Sequence, residues 1–304
     1  MQSVVLGPPG PRDAAGGQGF PEDPGFQTGS LLATLDPRNK SEGDQLGCFM
    51  RYVLTVTALL FASMVSPEGL AQSPDTPQAN VRWYKGSYDY GLLDSDIVRG
   101  TEDWTITVHP DGTRTVETVV DLREQGHQSN VIMRVDARHR PLDAYSSFWR
   151  FGEYRGAARF WVEKGAANGS DILHNDVVGP LGHATHDVTV PDLFSLRLHP
   201  VIIEGWQVWH FDKSKPGPQT RPLYNMVTTG STGVQGIGMF QDNAVDFKGT
   251  ETVETPAGTF EADHYTFYGG RYGIWLWSDD LILVRYIVPS NGREYRLTRF
   301  ETGP

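Results

Sequence analysis

From Val81 onward, apolar and polar residues alternate with a period of two in short runs separated by turn residues. Such runs put one side of an extended chain into a core and the other into water, which suits strands rather than helices. Trp104–Val108 alternates, His109-Pro110-Asp111-Gly112 turns, and Thr113–Leu122 alternates again. Asp-Gly between two alternating runs is a hairpin signal, because glycine accepts the positive φ of a tight turn. Asn130–Asp136, Leu142–Phe151 and Tyr154–Val162 continue the pattern. The last third is the most regular: Phe247–Thr255, Thr259–Tyr268, Gly273–Trp277, Leu281–Val288 and Arg293–Phe300 form a five-strand meander with turns at Pro256-Ala257-Gly258, Ser278-Asp279-Asp280 and Pro289-Ser290-Asn291-Gly292. The expected fold class is all-β, an antiparallel meander forming a curved sheet or an open or closed β-barrel with one short helix.

The middle is less regular. Asn168–Pro191 reads as one strand plus loops. The short helix is expected at Pro191–His199, with Asp192 as its cap, Leu193, Leu196 and His199 on one side, and Pro200 ending it. Gly205–Phe211 reads as a strand. Gly230–Gly238 is glycine-rich but has no Lys-Ser/Thr ending, so bulges or a mobile loop fit better than a phosphate cradle.

Met50 opens a second pattern. Met50-Arg51 is a short positive start, Tyr52–Val65 an uncharged apolar run, and Ser66–Ala71 a small-residue exit, together the layout of a secretory signal peptide. The run is too short for a membrane-spanning helix, which needs about 20 apolar residues. Translation is therefore expected to begin at Met50, with cleavage near Ala71 and a periplasmic or secreted mature protein. Residues 1–49 read as a non-native upstream extension or a disordered arm, and 72–304 as a single all-β domain. The only cysteine, Cys48, precedes the apolar run, so the part after Ala71 has neither a disulfide nor a thiol nucleophile. That part carries 30 acidic against 22 basic side chains, a poor match to nucleic acid, which is held by clustered Lys and Arg. It also holds all eight tryptophans, which suits a lined cavity or simply a filled core.

Three stretches resemble a bacterial exported family known only as domain of unknown function 3108: Asp192–Arg197 leading to Gly205, Gly249–Phe260, and the Trp-containing hairpin Trp275–Arg285. The resemblance covers the expected helix and the C-terminal meander, through turn and strand signatures. It implies an all-β, barrel-like exported protein in the style of periplasmic lipid and lipoprotein carriers. It brings no catalytic residues. The extra Trp and His content of this chain departs from the family pattern.

Site chemistry is sparser. His183 and His186, with Asp187 and the nearby His174, are weak metal candidates, because histidines three apart on a strand point to opposite faces. Asp279-Asp280 reads as turn residues. The more informative set is aromatic. Trp275 and Trp277 share a strand face, Leu283 and Arg285 share a face of the next strand, and His264 shares one with Ala262 and Thr266. Turned inward, these would line a cavity for an apolar or aromatic molecule carrying a hydroxyl or carboxylate, with Arg285 as the anion contact. Trp149, Trp161 and His210 are further ligand-lining candidates. The leading expectation is an exported barrel-like protein that binds or carries an apolar lipid or aromatic small molecule, without a cofactor, and with a possible association with the envelope. One alternative is a cofactor-independent acid/base lyase or isomerase for an aromatic or terpenoid substrate, with His264 as base and Arg285 as anion partner. Another is a structural envelope protein.

Overall fold

The computed structural model describes residues 81–165, 169–180, 182–226 and 236–304. The proposed signal segment, Cys48 and most of the glycine-rich stretch lie outside these residues. No helix among the described residues is long and apolar enough to cross a membrane.

The strands are β1 (Arg82–Leu92), β2 (Val98–Val108), β3 (Arg114–Leu122), β4 (His127–Val135), β5 (Pro141–Arg150), β6 (Glu153–Glu163), β7 (Asp171–Gly179), β8 (Gly182–Val190), β9 (Ser195–Arg197), β10 (Gln219–Met226), β11 (Gly238–Thr255), β12 (Gly258–Phe267), β13 (Tyr272–Trp277), β14 (Ile282–Val288) and β15 (Arg293–Gly303). They form one sheet in the order β8-β7-β6-β5-β4-β3-β2-β1-β15-β14-β13-β12-β11-β10-β9. Every pairing is antiparallel except β9 with β10. Two meanders are thus stitched together where β1 pairs with β15. The Asp111-Gly112 hairpin forms as expected, with Gly112 at φ 82°. The all-β curved-sheet class read from the alternation is the fold observed.

The sheet curls until its two ends meet. Asn175 on β7 accepts hydrogen bonds from the Gly238 amide (3.0 Å) and the Tyr224 hydroxyl (3.2 Å), on β11 and β10. No ladder joins β8 to β9; the ends meet through inward side chains, Asn175 on β7 and His186 on β8 against Tyr224 on β10, and no strand pairs with the outer edge of β8 among the described residues.

The concave side is filled by the chain itself. A one-turn helix α1 (Val201–Glu204) runs into a 3₁₀ turn at Gly205–Val208, and all eight residues are buried. The expected helix at Pro191–His199 is displaced. Those residues contain β9, and Pro200 precedes the helix instead of ending one. Proline's fixed φ and missing N–H suit a helix start, and His199 before it sits at φ 76°, outside the right-handed helical region. The expected strand at Gly205–Phe211 is likewise the 3₁₀ turn and the residues that follow it. A segment buried all round shows no periodicity to distinguish helix from strand. The expected single strand within 168–191 is a hairpin, β7 with β8.

Polar anchors hold this plug. Glu102 on β2 accepts from the Val201 (2.7 Å) and Ile202 (3.1 Å) amides and from the Tyr90 (2.5 Å) and Thr118 (3.0 Å) hydroxyls. Burial pushes its carboxyl up to about 7, against the lowering effect of those four donors. The β13–β14 turn also dips inward. Asp280, 2% exposed, takes hydrogen bonds from Arg82 (2.6 Å), Tyr84 (2.6 Å) and Arg114 (2.8 Å), while its backbone carbonyl accepts from Trp206 Nε1 (3.3 Å). Val201, Ile202, Ile203, Trp206 and Val208 complete the apolar contacts, each contributing roughly 1.5–3 kcal/mol through burial.

At Gly205 the plug comes close to the β13–β14 hairpin. A Cβ there would lie 2.7 Å from the Leu281 carbonyl oxygen and 2.9 Å from Leu276 Cδ2. Gly205→Ala should therefore cost about 1–3 kcal/mol of stability despite alanine's better helix propensity, as read by urea unfolding. A neutral or stabilising result would mean that the plug sits loosely.

Candidate functional site

Cross-strand pairing brings together three of the residues singled out by sequence. His264 on β12 pairs with Trp275 on β13, which pairs with Arg285 on β14. The His264 ring stacks on the Trp275 indole with centroids 4.1 Å apart and planes 14° from parallel. The Arg285 guanidinium carbon lies 5.0 Å from the same indole, from the opposite flanking strand. A cation over tryptophan contributes about 0.5–1 kcal/mol at a partly exposed site. Glu251 on β11 accepts from Trp275 Nε1, and its carboxylate lies 3.1 Å from His264 Nδ1. Burial lowers the His264 pKa, helped by the Lys248 and Arg285 cations and opposed by Glu251. With both neighbours in place, Trp275 is only 6% exposed, so it braces the two side chains rather than offering an open stacking face.

A bulge decides what Arg285 faces. The β13–β14 register shifts between Trp275 and Leu276, so Leu276 pairs with Leu283 while Trp275 pairs with Arg285, leaving Val284 as the extra residue. Leu283 is fully buried and Arg285 lies on the other side. The expectation that Leu283 and Arg285 share a face is corrected by that one inserted residue.

Arg285 lies directly across from Arg296 on β15. Two guanidiniums so placed repel unless an anion intervenes. Glu294, on the Arg296 face two residues earlier, supplies it: Oε1 lies 2.8 Å from Arg285 Nε and Oε2 3.9 Å from Arg296 Nε. Above this triad lies an open groove of about 400 Å³, lined by Arg285, Glu294, Arg296, Glu254 and the β1–β2 loop residues Asp94, Ser95 and Asp96. The loop is held in position by the Leu93 amide, which donates to the Gly292 carbonyl at 2.7 Å, and by Ser95 Oγ, which accepts from the Ile97 amide at 3.2 Å. Four carboxylates and two guanidiniums thus converge on one space, an arrangement suited to a ligand with both a cationic and an anionic group.

The other sequence candidates lie apart from this groove. Trp277 packs against Tyr84, Phe260 and Phe300. Trp149 contacts Tyr154, and Trp161 stacks on His174 under the Arg159 guanidinium. His210 faces Ser195, 3.2 Å from its hydroxyl, and burial holds its pKa down at about 4. His183 pairs with Asp176, while His186 Nδ1 lies 2.8 Å from the Tyr224 hydroxyl. No group of three or more His, Cys, Asp or Glu side chains suited to a metal ion occurs among the described residues. Asp280, read as a turn residue, is also the buried anchor described above. An apolar ligand in the interior would have to share that space with Val201–Val208.

Sequence reasoning missed Glu294, Arg296, Glu254, Asp94 and Asp96. Part of the set was within reach: a turn at Pro289–Gly292 fixes a hairpin in which Arg285 and Arg296 oppose each other. The contribution of the β1–β2 loop was not, because it comes from the far end of the described chain.

No protein-family model matches the chain, and no curated protein matches it either. Among solved structures, it is similar to a β-barrel-like protein of domain of unknown function DUF1849 from Brucella abortus. That match has 13% identity and a TM-score of 0.48, and covers 74% of this chain and 98% of that chain.

Proposed function

We propose that this barrel-like protein is an exported binding protein whose ligand is a small zwitterion, with an amine and an acid group, taken up in the outer groove. The observation that carries this reading is the Arg285–Glu294–Arg296 triad at the groove floor, with Asp94, Asp96 and Glu254 around it. Glu294 orients Arg285 through a hydrogen bond and lies close enough to Arg296 to balance its charge, and the remaining N–H groups of both arginines suit a carboxylate or phosphate. The surrounding carboxylates suit an ammonium. Charge-assisted hydrogen bonds of this kind contribute about 1.5–3 kcal/mol each. The apolar carrier and the acid/base enzyme have less support: plug residues occupy the interior, and Trp275 stands between His264 and Arg285. Export rests on the Met50–Ala71 pattern, and intact-mass analysis of secreted material should find a chain beginning near Gln72.

Calorimetric titration with two probes, triglycine and phosphoethanolamine, tests the binding reading. At least one should bind with one-to-one stoichiometry. Arg296→Gln and Glu254→Gln, both changes of partly or fully exposed side chains, should each weaken it about tenfold or more, the equivalent of one lost charged contact. The variant His183→Asn, on distant β8, should leave it unchanged. Binding that ignores both groove substitutions would overturn the assignment.

A further inference from the structure

β8 ends the sheet, and its second edge is unpaired among the described residues. Natural edge strands are usually blunted by lysine, proline, a bulge or a covering segment. Gly182–Val190 contains no lysine or proline, and its ladder with β7 runs through nine pairs without a register shift. Its inward-facing side chains Ala184, His186 and Val188 are only half-buried, whereas Leu173, Asn175 and Val177 on neighbouring β7 are buried. The outward row His183, Thr185, Asp187 and Thr189 is exposed.

We propose that β8 is the interface between two copies of this chain, paired edge to edge and antiparallel about a two-fold axis at Thr185. The register follows from charge. Centred on Thr185, the pairing sets His183 of each copy opposite Asp187 of the other, Ala184 opposite His186, and the two threonines opposite each other. Centring on Asp187 would instead bring two carboxylates face to face, and centring on His186 would leave both charged positions opposite threonines. The intramolecular contacts of these residues use His183 Nε2 and Asp187 Oδ1, toward Asp176 and His174. His183 Nδ1 and Asp187 Oδ2 make no hydrogen bond among the described residues and suit the cross-copy pairs. A closed, isologous contact of this kind continues the sheet across the axis and leaves both grooves unobstructed at its far side.

A ladder of nine residues buries less area than a standard interface, so the dimer is weak and concentration-dependent. Sedimentation velocity on the full chain, from about 1 µM to 1 mM, should move from one chain mass to two, with a Kd of roughly 10–100 µM. Thr185→Lys places two ammonium groups opposite each other on an exposed position and should hold the protein at one chain mass, with unchanged far-ultraviolet circular dichroism. The register has its own test. With Cys48 replaced by serine, Thr185→Cys should give a disulfide-linked dimer under mild oxidation, because directly opposed antiparallel residues lie within disulfide reach. Thr189→Cys in the same background should not. A single chain mass at every concentration, or a dimer that survives Thr185→Lys, would overturn the interface. A dimer abolished by Thr185→Lys but never linked through Thr185→Cys would overturn the register.

Discussion

Asp280→Ala should lower unfolding stability by about 3–5 kcal/mol, and the thermal midpoint by roughly 10 °C. The reason is the company this carboxylate keeps. Arg114, 8% exposed, donates to Asp280 from Nε and also forms an ion pair with it through Nη2 at 2.7 Å. Tyr84 donates its hydroxyl to the same group. Removing Asp280 leaves a buried guanidinium beside the imidazole of His139, which burial, with the Arg114 charge adding to it, already holds at a pKa of about 4. It also frees the inward-dipping turn that receives Trp206. Asp280→Asn keeps the shape but not the charge and should fall between the two. Differential scanning calorimetry of both variants checks this ordering. Equal and small effects, below about 1 kcal/mol, would show that the clamp on the plug is dispensable.

Acid should open the fold well before the carboxylates alone would require. His139 is buried and His199 and His210 are half-buried, with pKa values lowered to about 4, 3 and 4 by desolvation first and by nearby arginines second. They are neutral in the folded state but bind protons in the unfolded chain below about pH 6.5. Their contribution is therefore complete above pH 6.5 and is lost as pH falls toward 4. Glu102 runs the other way. Its pKa is raised to about 7, so its contribution is complete below its unfolded value and is lost as pH rises through 7. At pH 4.5 the three histidines together would remove roughly 8 kcal/mol and Glu102 would restore roughly 3, so acid destabilises on balance. Chemical denaturation at pH 7.5 and 4.5 should give about 5 kcal/mol less at the lower value. His199→Gln, whose amide N–H reaches the place from which Nε2 contacts the Met226 carbonyl, should flatten the profile by about a third of the histidine effect. A profile that rises toward acid would mean that Glu102 dominates.

Local chemistry explains which parts of this fold were legible in the sequence. Three of the four connections between the five C-terminal strands carry a turn signature of their own, and the one at Pro289–Gly292 joins β14 to β15 in the register observed. The plug was illegible because burial on every side erases the pattern that distinguishes helix from strand. One bulge at Val284 was enough to reverse the face assigned to Leu283 relative to Arg285. At the site, the His264–Trp275–Arg285 stack was readable, since adjacent strands in a meander carry its members. The groove beside it was not, because Asp94 and Asp96 reach Glu294 through the pairing of β1 with β15, a contact no local rule reports.

The groove is tested most directly by an amide-shift map of the isotope-labelled protein, titrated with triglycine and phosphoethanolamine, and then with a medium-chain fatty acid. A zwitterion in the groove should shift only 93–97, 254, 285 and 292–296, and the fatty acid should leave 201–208 unmoved. Saturable shifts spreading through Val201–Val208 with the fatty acid, and a silent groove, would contradict the groove assignment and return the ligand to the interior.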